Sequence, residues 1–280
     1  MSTGRVRRAV TPVRVTALDG DRAIEKPDRL VTEEPMEVRV HGPGQEPRPL
    51  VVTMRTPGND FELAVGFCLT EGILAGPDDV DTVAYCLAGE GDQEFNVVTV
   101  ALRQPVVLDG PERRFVANAS CGLCGKTTLD EVEHRCEPVA DGPVVARSVV
   151  AGLPDAIRAA QKLFDTTGGL HASGAFTPDG ELVALREDVG RHNALDKLVG
   201  HAVLERRVPL SGEVLMVSGR VSFEIVQKAA MAGFPVICAV SAPSSLAVDA
   251  AQRFGQTLVG FVREGRANVY THPERVDLDR

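Results

Sequence analysis

The 280-residue chain has no tryptophan, two tyrosines and only 4% aromatic residues. So small an aromatic complement excludes a stacking platform for single-stranded nucleic acid. A surplus of positive charge is also missing. Thirty basic residues against 39 acidic ones leave a net charge of −9, and sequence-independent nucleic-acid binding needs a basic surface. No apolar run approaches the roughly 18 residues of a membrane-spanning helix. The basic opening segment, Met1 to Val15, has neither an apolar stretch nor a small-residue cleavage site, so no secretory signal is expected. Six cysteines are too few for a disulfide scaffold. These absences predict a cytoplasmic, reduced protein that meets neither membrane nor nucleic-acid polymer, and in which each cysteine needs its own explanation.

What is present is an ordinary globular composition, 44% hydrophobic and 25% charged. Residues 1–11 read as a flexible basic tail. Residues 12–142 read as a β-rich N-terminal subdomain. Its strand signals are Val38 to Val40, Pro49 to Met54, Phe95 to Leu102 and Arg114 to Ala117. Between them, Asn59 to Leu74 has helical spacing, with Thr56, Asn59 or Asp60 as a cap and Gly72 as the stop. Residues 143–280 change rhythm. Pro154 to Phe164 is helical, a strand ends at Asp188, and Gly190 to Val203 is helical. Strands at Glu213 to Val217, Pro235 to Val240 and Thr257 to Val262 then alternate with helices at Ser222 to Ala232 and Ser244 to Phe254. A last strand, Ala267 to Thr271, follows a Glu264-Gly265 turn. The alternation predicts an α/β domain with a mainly parallel sheet.

Cys121-Gly-Leu-Cys124 is the strongest local chemical signal. A thiolate is the reactive form, and a free thiol with a pKa of about 8.5 needs help to ionise. Lys126 supplies nearby charge, and Gly122 and Gly125 suit a movable loop. Zinc is the competing use, with His134 and Cys136 completing a four-ligand set, although the spacing is poor for a finger or ribbon. A thioredoxin-like pair lacks its strand and following helix. Cys68, Cys86 and Cys238 lie in apolar contexts and are expected as small core residues. His41, His134, His201 and His272 are expected in solvent.

There is no Walker A sequence and no dinucleotide fingerprint. The α/β half still offers a ligand edge, beyond the carboxyl ends of its strands. Asp188-Val-Gly-Arg-His-Asn193, Ser218-Gly-Arg-Val-Ser222 and Ser241-Ala-Pro-Ser-Ser245 each lead into a helix N-terminus, which favours anions. Arg191 and Arg220 could grip phosphate there. Helix capping by Ser, Asp and Asn is the ordinary explanation for any one such turn. Three on one edge, two with arginine, point to an anionic ligand. His171, in a Gly-rich stretch, and His192, four residues after Asp188, are possible proton carriers, as likely structural when taken singly. The segment Gly260-Phe-Val-Arg-Glu-Gly-Arg266 is a hairpin by default.

The motifs Arg55 to Phe67, Ser120-Cys-Gly-Leu-Cys-Gly125, Thr167-Gly-Gly-Leu-His171, Glu187 to Lys197, Ser218-Gly-Arg220 and Ala239 to Ala247 occur in order. Together they resemble the formate dehydrogenase accessory sulfurtransferases, the FdhD family, from about residue 12 to about residue 275. The resemblance implies a sulfur carrier, and so an enzyme of the sulfurtransferase class. Such a protein takes sulfur from a cysteine desulfurase as a persulfide on Cys121, with Cys124 as its partner. It passes that sulfur to the molybdenum of bis(molybdopterin guanine dinucleotide), which then enters a formate dehydrogenase. The resemblance also implies a cofactor segment at Gly260, Phe261, Val262, Arg263, Glu264, Gly265 and Arg266. Ser218, Gly219, Arg220, Ser241, Arg191 and His192 would complete that site, where a GDP-like nucleotide could sit. It implies a homodimer, and a C-terminal three-layer α/β domain like the cytidine deaminase fold beside the smaller β-rich subdomain. Hydrolytic deamination itself is excluded, because His171-Ala-Ser173 lacks the general-acid Glu and no Pro precedes the cysteine pair. No resident metal is implied. The alternative is a zinc-stabilised adaptor that holds the cofactor without moving sulfur.

Overall fold

The computed structural model describes residues 8–86, 95–107, 115–116 and 138–279. An antiparallel ribbon opens the chain, β1 (Val10–Asp19) and β2 (Arg22–Val31). It was not expected, and its first residues fall within the supposed tail. Asp19-Gly20 was its signal, a turn in which Gly20 takes a positive φ of 57°, but charge and Pro27 obscured the second strand.

The N-terminal half is a five-stranded sheet with one helix. Its strands are β3 (Glu34–His41), β4 (Arg48–Arg55), β5 (Val80–Tyr85), β6 (Val97–Leu102) and the short β7 (Phe115–Val116). They lie in the order β5-β6-β3-β4-β7. Helix α1 (Asp60–Thr70) is buried on nearly every side from Leu63 to Thr70. Such a helix must lie between two layers. Here the layers are the sheet and a helix of the second half. None of the three expected caps bonds the α1 N-terminus through its side chain. Asn59 is left-handed at φ 57°, Asp60 takes Arg55, and the Thr56 hydroxyl accepts the Val189 N–H.

The second half is built on a six-stranded sheet, ordered β10-β9-β11-β12-β13-β14. These are β9 (His171–Phe176), β10 (Leu182–Asp188), β11 (Val214–Val217), β12 (Val236–Ala239), β13 (Thr257–Arg263) and β14 (Arg266–Thr271). Only β11–β12 and β12–β13 are parallel. The expected mainly parallel sheet is therefore corrected to a mixed one. Hairpins at both margins, β9–β10 and β13–β14, impose antiparallel pairs. β8 (Val145–Ala146) pairs with β15 (Val276–Asp277) apart from this sheet.

One face of the six-stranded sheet carries α2 (Arg147–Ala160), followed by the short α3 (Lys162–Thr167). The expected helix started at Pro154, which in fact sits inside α2. Val150, Leu153 and Ile157 form the stripe that α2 buries. The opposite face carries α4 (Arg191–Leu204), α5 (Phe223–Met231) and α6 (Ser245–Arg253). Two hydrophobic clusters result. One lies under α2. The larger runs through α4 and α1 into the five-stranded sheet and joins the two halves.

α1 crosses α4 with backbones almost touching. A Cβ on Gly66 would overlap the Asp196 carbonyl, and one on Gly200 the Glu62 carbonyl. Gly66→Ala and Gly200→Ala are each expected to cost roughly 3 kcal/mol by overpacking, read as a lower urea midpoint at unchanged slope. Gly152→Ala, in α2 where a Cβ meets nothing within 4 Å, should instead gain about 0.5–1 kcal/mol of helix propensity.

Candidate functional site

The strand directions bring one set of loops to one edge. β11, β12 and β13 run parallel and end there. β9 is antiparallel to β11 and starts there, and β10 ends opposite it, with Asp188 paired to His171. Three cross-links hold the loops in place. Ala172 N–H donates to Ser218 Oγ at 2.8 Å. Val221 N–H donates to the Ala242 carbonyl at 3.2 Å, and Phe261 N–H to the Ser241 carbonyl at 3.2 Å. The edge thus gathers Arg191, His192, Ser218, Gly219, Arg220, Ser241, Gly260 and Phe261.

α4, α5 and α6 all begin at this edge. Ser244 caps α6 by accepting the Ala247 N–H, so the ordinary capping explanation holds there. It fails at the other two. Gly190 has no side chain to cap α4, and Ser222 does not cap α5. The Ser222 hydroxyl instead lies 3.2 Å from His192 Nε2. That same nitrogen is 2.9 Å from Glu224 Oε2. Burial pushes the Glu224 carboxyl up, but the hydrogen bond and charge of His192, with Lys228 and Arg191, hold it below the usual carboxylate range. His171 is held below the ordinary histidine value, first by burial and then by Arg191 and His192, with Arg220 adding to them and Asp188 opposing. Among the described residues at this edge, Arg191 carries an unfilled hydrogen bond. Its Nε is buried and has no hydrogen-bond partner.

Asp188 fixes this arrangement. It is fully buried and accepts from four donors: Thr56 N–H at 3.0 Å, Gly190 N–H at 2.9 Å, Asn193 Nδ2 at 3.2 Å and Lys197 Nζ at 2.7 Å. Lys197 also donates to the Thr56 carbonyl, and Asn193 to the Met54 carbonyl. The end of β4 is thereby tied to the loop that presents Arg191 and His192. Asp188 ends a strand, as expected, and its partners in α4 are Asn193 and Lys197, not His192.

The hairpin segment divides by burial. Val262 is fully buried in the core. Gly260 is required sterically, since a Cβ would press on Pro243 Cδ at 2.9 Å and Tyr270 at 3.1 Å. Phe261 sits at a bulge in the left-handed region, φ 54°, at the edge itself. Arg263, Glu264, Gly265 and Arg266 are exposed. The Arg263 guanidinium lies 5.9 Å from the Phe261 ring centroid, and Arg266 pairs with Glu264 at 3.1 Å. A groove of about 570 Å³ runs along Phe261, Arg263, Arg266 and Asn268.

Cys121, Cys124, His134 and Cys136 lie outside the described residues. Cys68 and Cys238 are fully buried, as expected, and burial raises both thiols, Cys238 to about 12. Cys86 is only half-buried at the end of β5, which corrects its expected core placement. His41, His201 and His272 are not solvated as expected but half-buried. His201 lies 3.3 Å from Glu62, His272 is held by Glu274, and His41 by the Gly42 carbonyl. Sequence reasoning missed Glu224, and no local pattern separates it from any acidic residue in a first helical turn.

In an NMR pH titration, His171 is expected to protonate at lower pH than an ordinary histidine, whose pKa is about 6.5. The unfolded chain then binds that proton first, so this contribution to stability is full above about pH 6.5 and falls as the pH drops below it. Pyrophosphate at the edge should move the His171 midpoint upward by offsetting Arg191 and Arg220. An unmoved midpoint would remove the edge as an anion site.

Comparison with known proteins agrees with this picture. The family model described as FdhD/NarQ family matches residues 31–277. The chain is 51% identical to a "Sulfur carrier protein FdhD" of Streptomyces coelicolor, over 98% of this chain and 97% of that one. It is 43% identical to a protein of the same description from Sulfurisphaera tokodaii, over 95% and 99%. A crystal structure of a candidate formate dehydrogenase accessory protein from Desulfotalea psychrophila superimposes with a TM-score of 0.75. It covers 96% of this chain and 100% of the other at 23% identity, a likeness of fold. The chain belongs to the FdhD/NarQ family.

Proposed function

We propose that this protein is a sulfur carrier for formate dehydrogenase maturation. It receives sulfur from a cysteine desulfurase on Cys121 and passes it to molybdenum in bis(molybdopterin guanine dinucleotide), which is its cargo. The observation that carries this reading is the cationic edge. Two uncapped helix N-termini and the buried, unpartnered Nε of Arg191 converge on it. Such a surface suits the phosphates of a dinucleotide. Ser218, Gly219, Arg220, Ser241 and His192 line the same edge. Phe261, Arg263 and Arg266 extend it along the hairpin, where Gly260 and Gly265 allow close approach.

The strand β7 supports the pairing of this edge with Cys121. β7 runs parallel to β4 with Val116 beside Val52. Four residues beyond Val52, Thr56 meets Asp188 at the edge. Cys121 follows Val116 by five residues, a reach of up to about 18 Å, which covers that distance.

In the first step the Cys121 thiolate attacks the terminal sulfur of the desulfurase persulfide. The bond from that sulfur to the desulfurase breaks, and its cysteine leaves as thiolate. Cys121 then holds the persulfide; delivery to the cargo would break its S–S bond, release Cys121 as thiolate, and draw from the cargo's metal the electron pair that turns the sulfane sulfur into sulfide. Cys124, three residues on, is the partner thiol. Burial keeps Cys68 and Cys238 protonated and out of this exchange. The protein works in the cytoplasm, as a homodimer, with the desulfurase and the formate dehydrogenase catalytic subunit as its protein partners. Among the described residues no helix is long and apolar enough to cross a membrane.

Two measurements test this reading. Mass spectrometry after incubation with desulfurase and cysteine should show one added sulfur on the wild type and on Cys68→Ala, and none on Cys121→Ala. Added sulfur that persists on Cys121→Ala overturns the carrier assignment. GDP at a hundred times its Kd should stabilise the fold by about 2.7 kcal/mol, seen as a rise in Tm that is lost in Arg191→Ala. An unchanged Tm in the wild type removes the nucleotide edge.

A further inference from the structure

The β1–β2 ribbon pairs along its whole length, from Val10–Val31 at the root to Asp19–Arg22 at the tip. At ten residues a strand it reaches about 34 Å. Val31, at the root, packs beside Gly169 of the body. None of the ribbon's residues is buried among the described residues, and a two-stranded ribbon alone is at best marginally stable. Successive rows of the ladder alternate between its two faces. One face carries Val13, Val15 and Ala17 with Ile24 and Leu30, which are 47% and 48% exposed. Lys26 and Asp28 stand in the middle of that face, and neither has an ion-pair partner among the described residues. The opposite face holds the Arg14–Glu25 pair at 3.5 Å. Pro12 and Pro27 sit within the unbroken ladder, opposite Arg29 and Arg14. A proline has no N–H to offer, so each outer edge lacks a donor there and resists strand addition. The ribbon therefore offers a face and not an edge.

We infer that two copies of the chain pair through this face, ribbon against ribbon, about a two-fold axis that crosses the strands between the Val13–Asp28 and Val15–Lys26 rows. The inference rests on the proposed homodimer and gives it a surface and a register. A two-fold contact must be self-complementary, with each pair of residues met twice. In this register Asp28 meets the partner's Lys26, Leu30 meets the partner's Ile24, and Val13 meets the partner's Val15. Charge selects it over its neighbours. An axis through the Val15–Lys26 row sets Lys26 against the partner's Lys26, and one through the Val13–Asp28 row sets Asp28 against the partner's Asp28. Both place like charges together, which is costly at an interface. An axis along the strands sets each charge against a valine and buries it unpaired. The flat face measures about 34 by 10 Å, at the small end for a specific interface. Pairing through it is therefore reversible and set by concentration.

Sedimentation equilibrium of the full chain over a range of concentrations, at low salt, tests this. The wild type should be a dimer. Lys26→Asp and Asp28→Lys should each weaken the dimer by on the order of a hundredfold, because each sets two like-charge pairs across the axis. The double variant, Lys26→Asp with Asp28→Lys, restores opposite charges and should return the dimer to near wild-type strength. Arg14→Ala, on the opposite face, should leave it unchanged. All four substitutions fall on exposed residues, and an unchanged Tm of the monomer shows that the fold is intact. If the single variants dimerise as tightly as the wild type, the ribbon face is overturned while the homodimer stands on another surface. If the singles weaken and the double does not recover, the register is overturned. A wild type that stays monomeric at every concentration overturns the homodimer and the ribbon pairing together.

Discussion

The buried carboxylate of Asp188 is the constraint on which the rest of the molecule depends. A charge taken out of water is costly unless its hydrogen-bonding capacity is filled. Here four donors fill it, and they come from three places: the turn after β4, the turn before α4, and α4 itself. Removing any one displaces a segment that the site needs. The pair with Lys197 stabilises the fold less than it specifies it, because buried ion pairs roughly repay their own desolvation. What it specifies is the register between the five-stranded sheet and the loop that carries Arg191 and His192.

The same logic recurs deeper in the joint between the halves. Lys228 donates to both oxygens of Asp196 at 2.9 Å and to Thr70 at 2.9 Å, and lies near Glu71. Burial works against its charge, but Asp196 and Glu71 outweigh burial and hold its pKa above the ordinary lysine value. Arg55 bonds Asp60 through two nitrogens, and Tyr85 adds its hydroxyl to that carboxylate. These groups sit around the glycine-to-glycine crossing of α1 and α4. Apolar packing supplies cohesion across the joint, and the polar contacts leave it one orientation. An edge assembled from two halves needs that, because a slip between them would separate Thr56 from Asp188.

Much of this was legible in the sequence, for reasons that can be named. The β11–α5–β12–α6–β13 run could be read because short apolar strands and amphipathic helices have different periods. The edge loops could be read because each is a turn from a strand into a helix. β9 was missed because His171 to Phe176 is made of small residues, and the small side chains at Ala172, Ser173 and Gly174 carry little hydrophobic signal. The mixed sheet direction was illegible for a different reason. Pairing partners are chosen by the tertiary fold, and a β9–β10 hairpin turning at Thr177 to Gly180 differs little from any other polar turn. Among site residues, the arginines and serines announced themselves by motif. Glu224 did not, because a role drawn from burial and a contact with His192 has no local pattern.

The charge distribution gives the separation of tasks its physical basis. A chain of net charge −9 repels a polyanionic cargo at long range unless positive charge is concentrated at one place. Arg191 and Arg220 concentrate it at the helix N-termini, where backbone dipoles add to it. Burial first, and then their proximity, lowers the His171 pKa beside them. A thiol loop would not serve as the cargo grip, since holding phosphates needs donors fixed in place, whereas exchanging sulfur between two protein partners needs a sulfur that can move. The fold answers by fixing the donors on strand ends and helix starts, locked by Asp188. The proposed sulfur chemistry falls to Cys121 and Cys124, which the sequence places in a separate segment after β7. On that proposal grip and transfer belong to different segments of the chain, so the donors stay fixed while sulfur is exchanged.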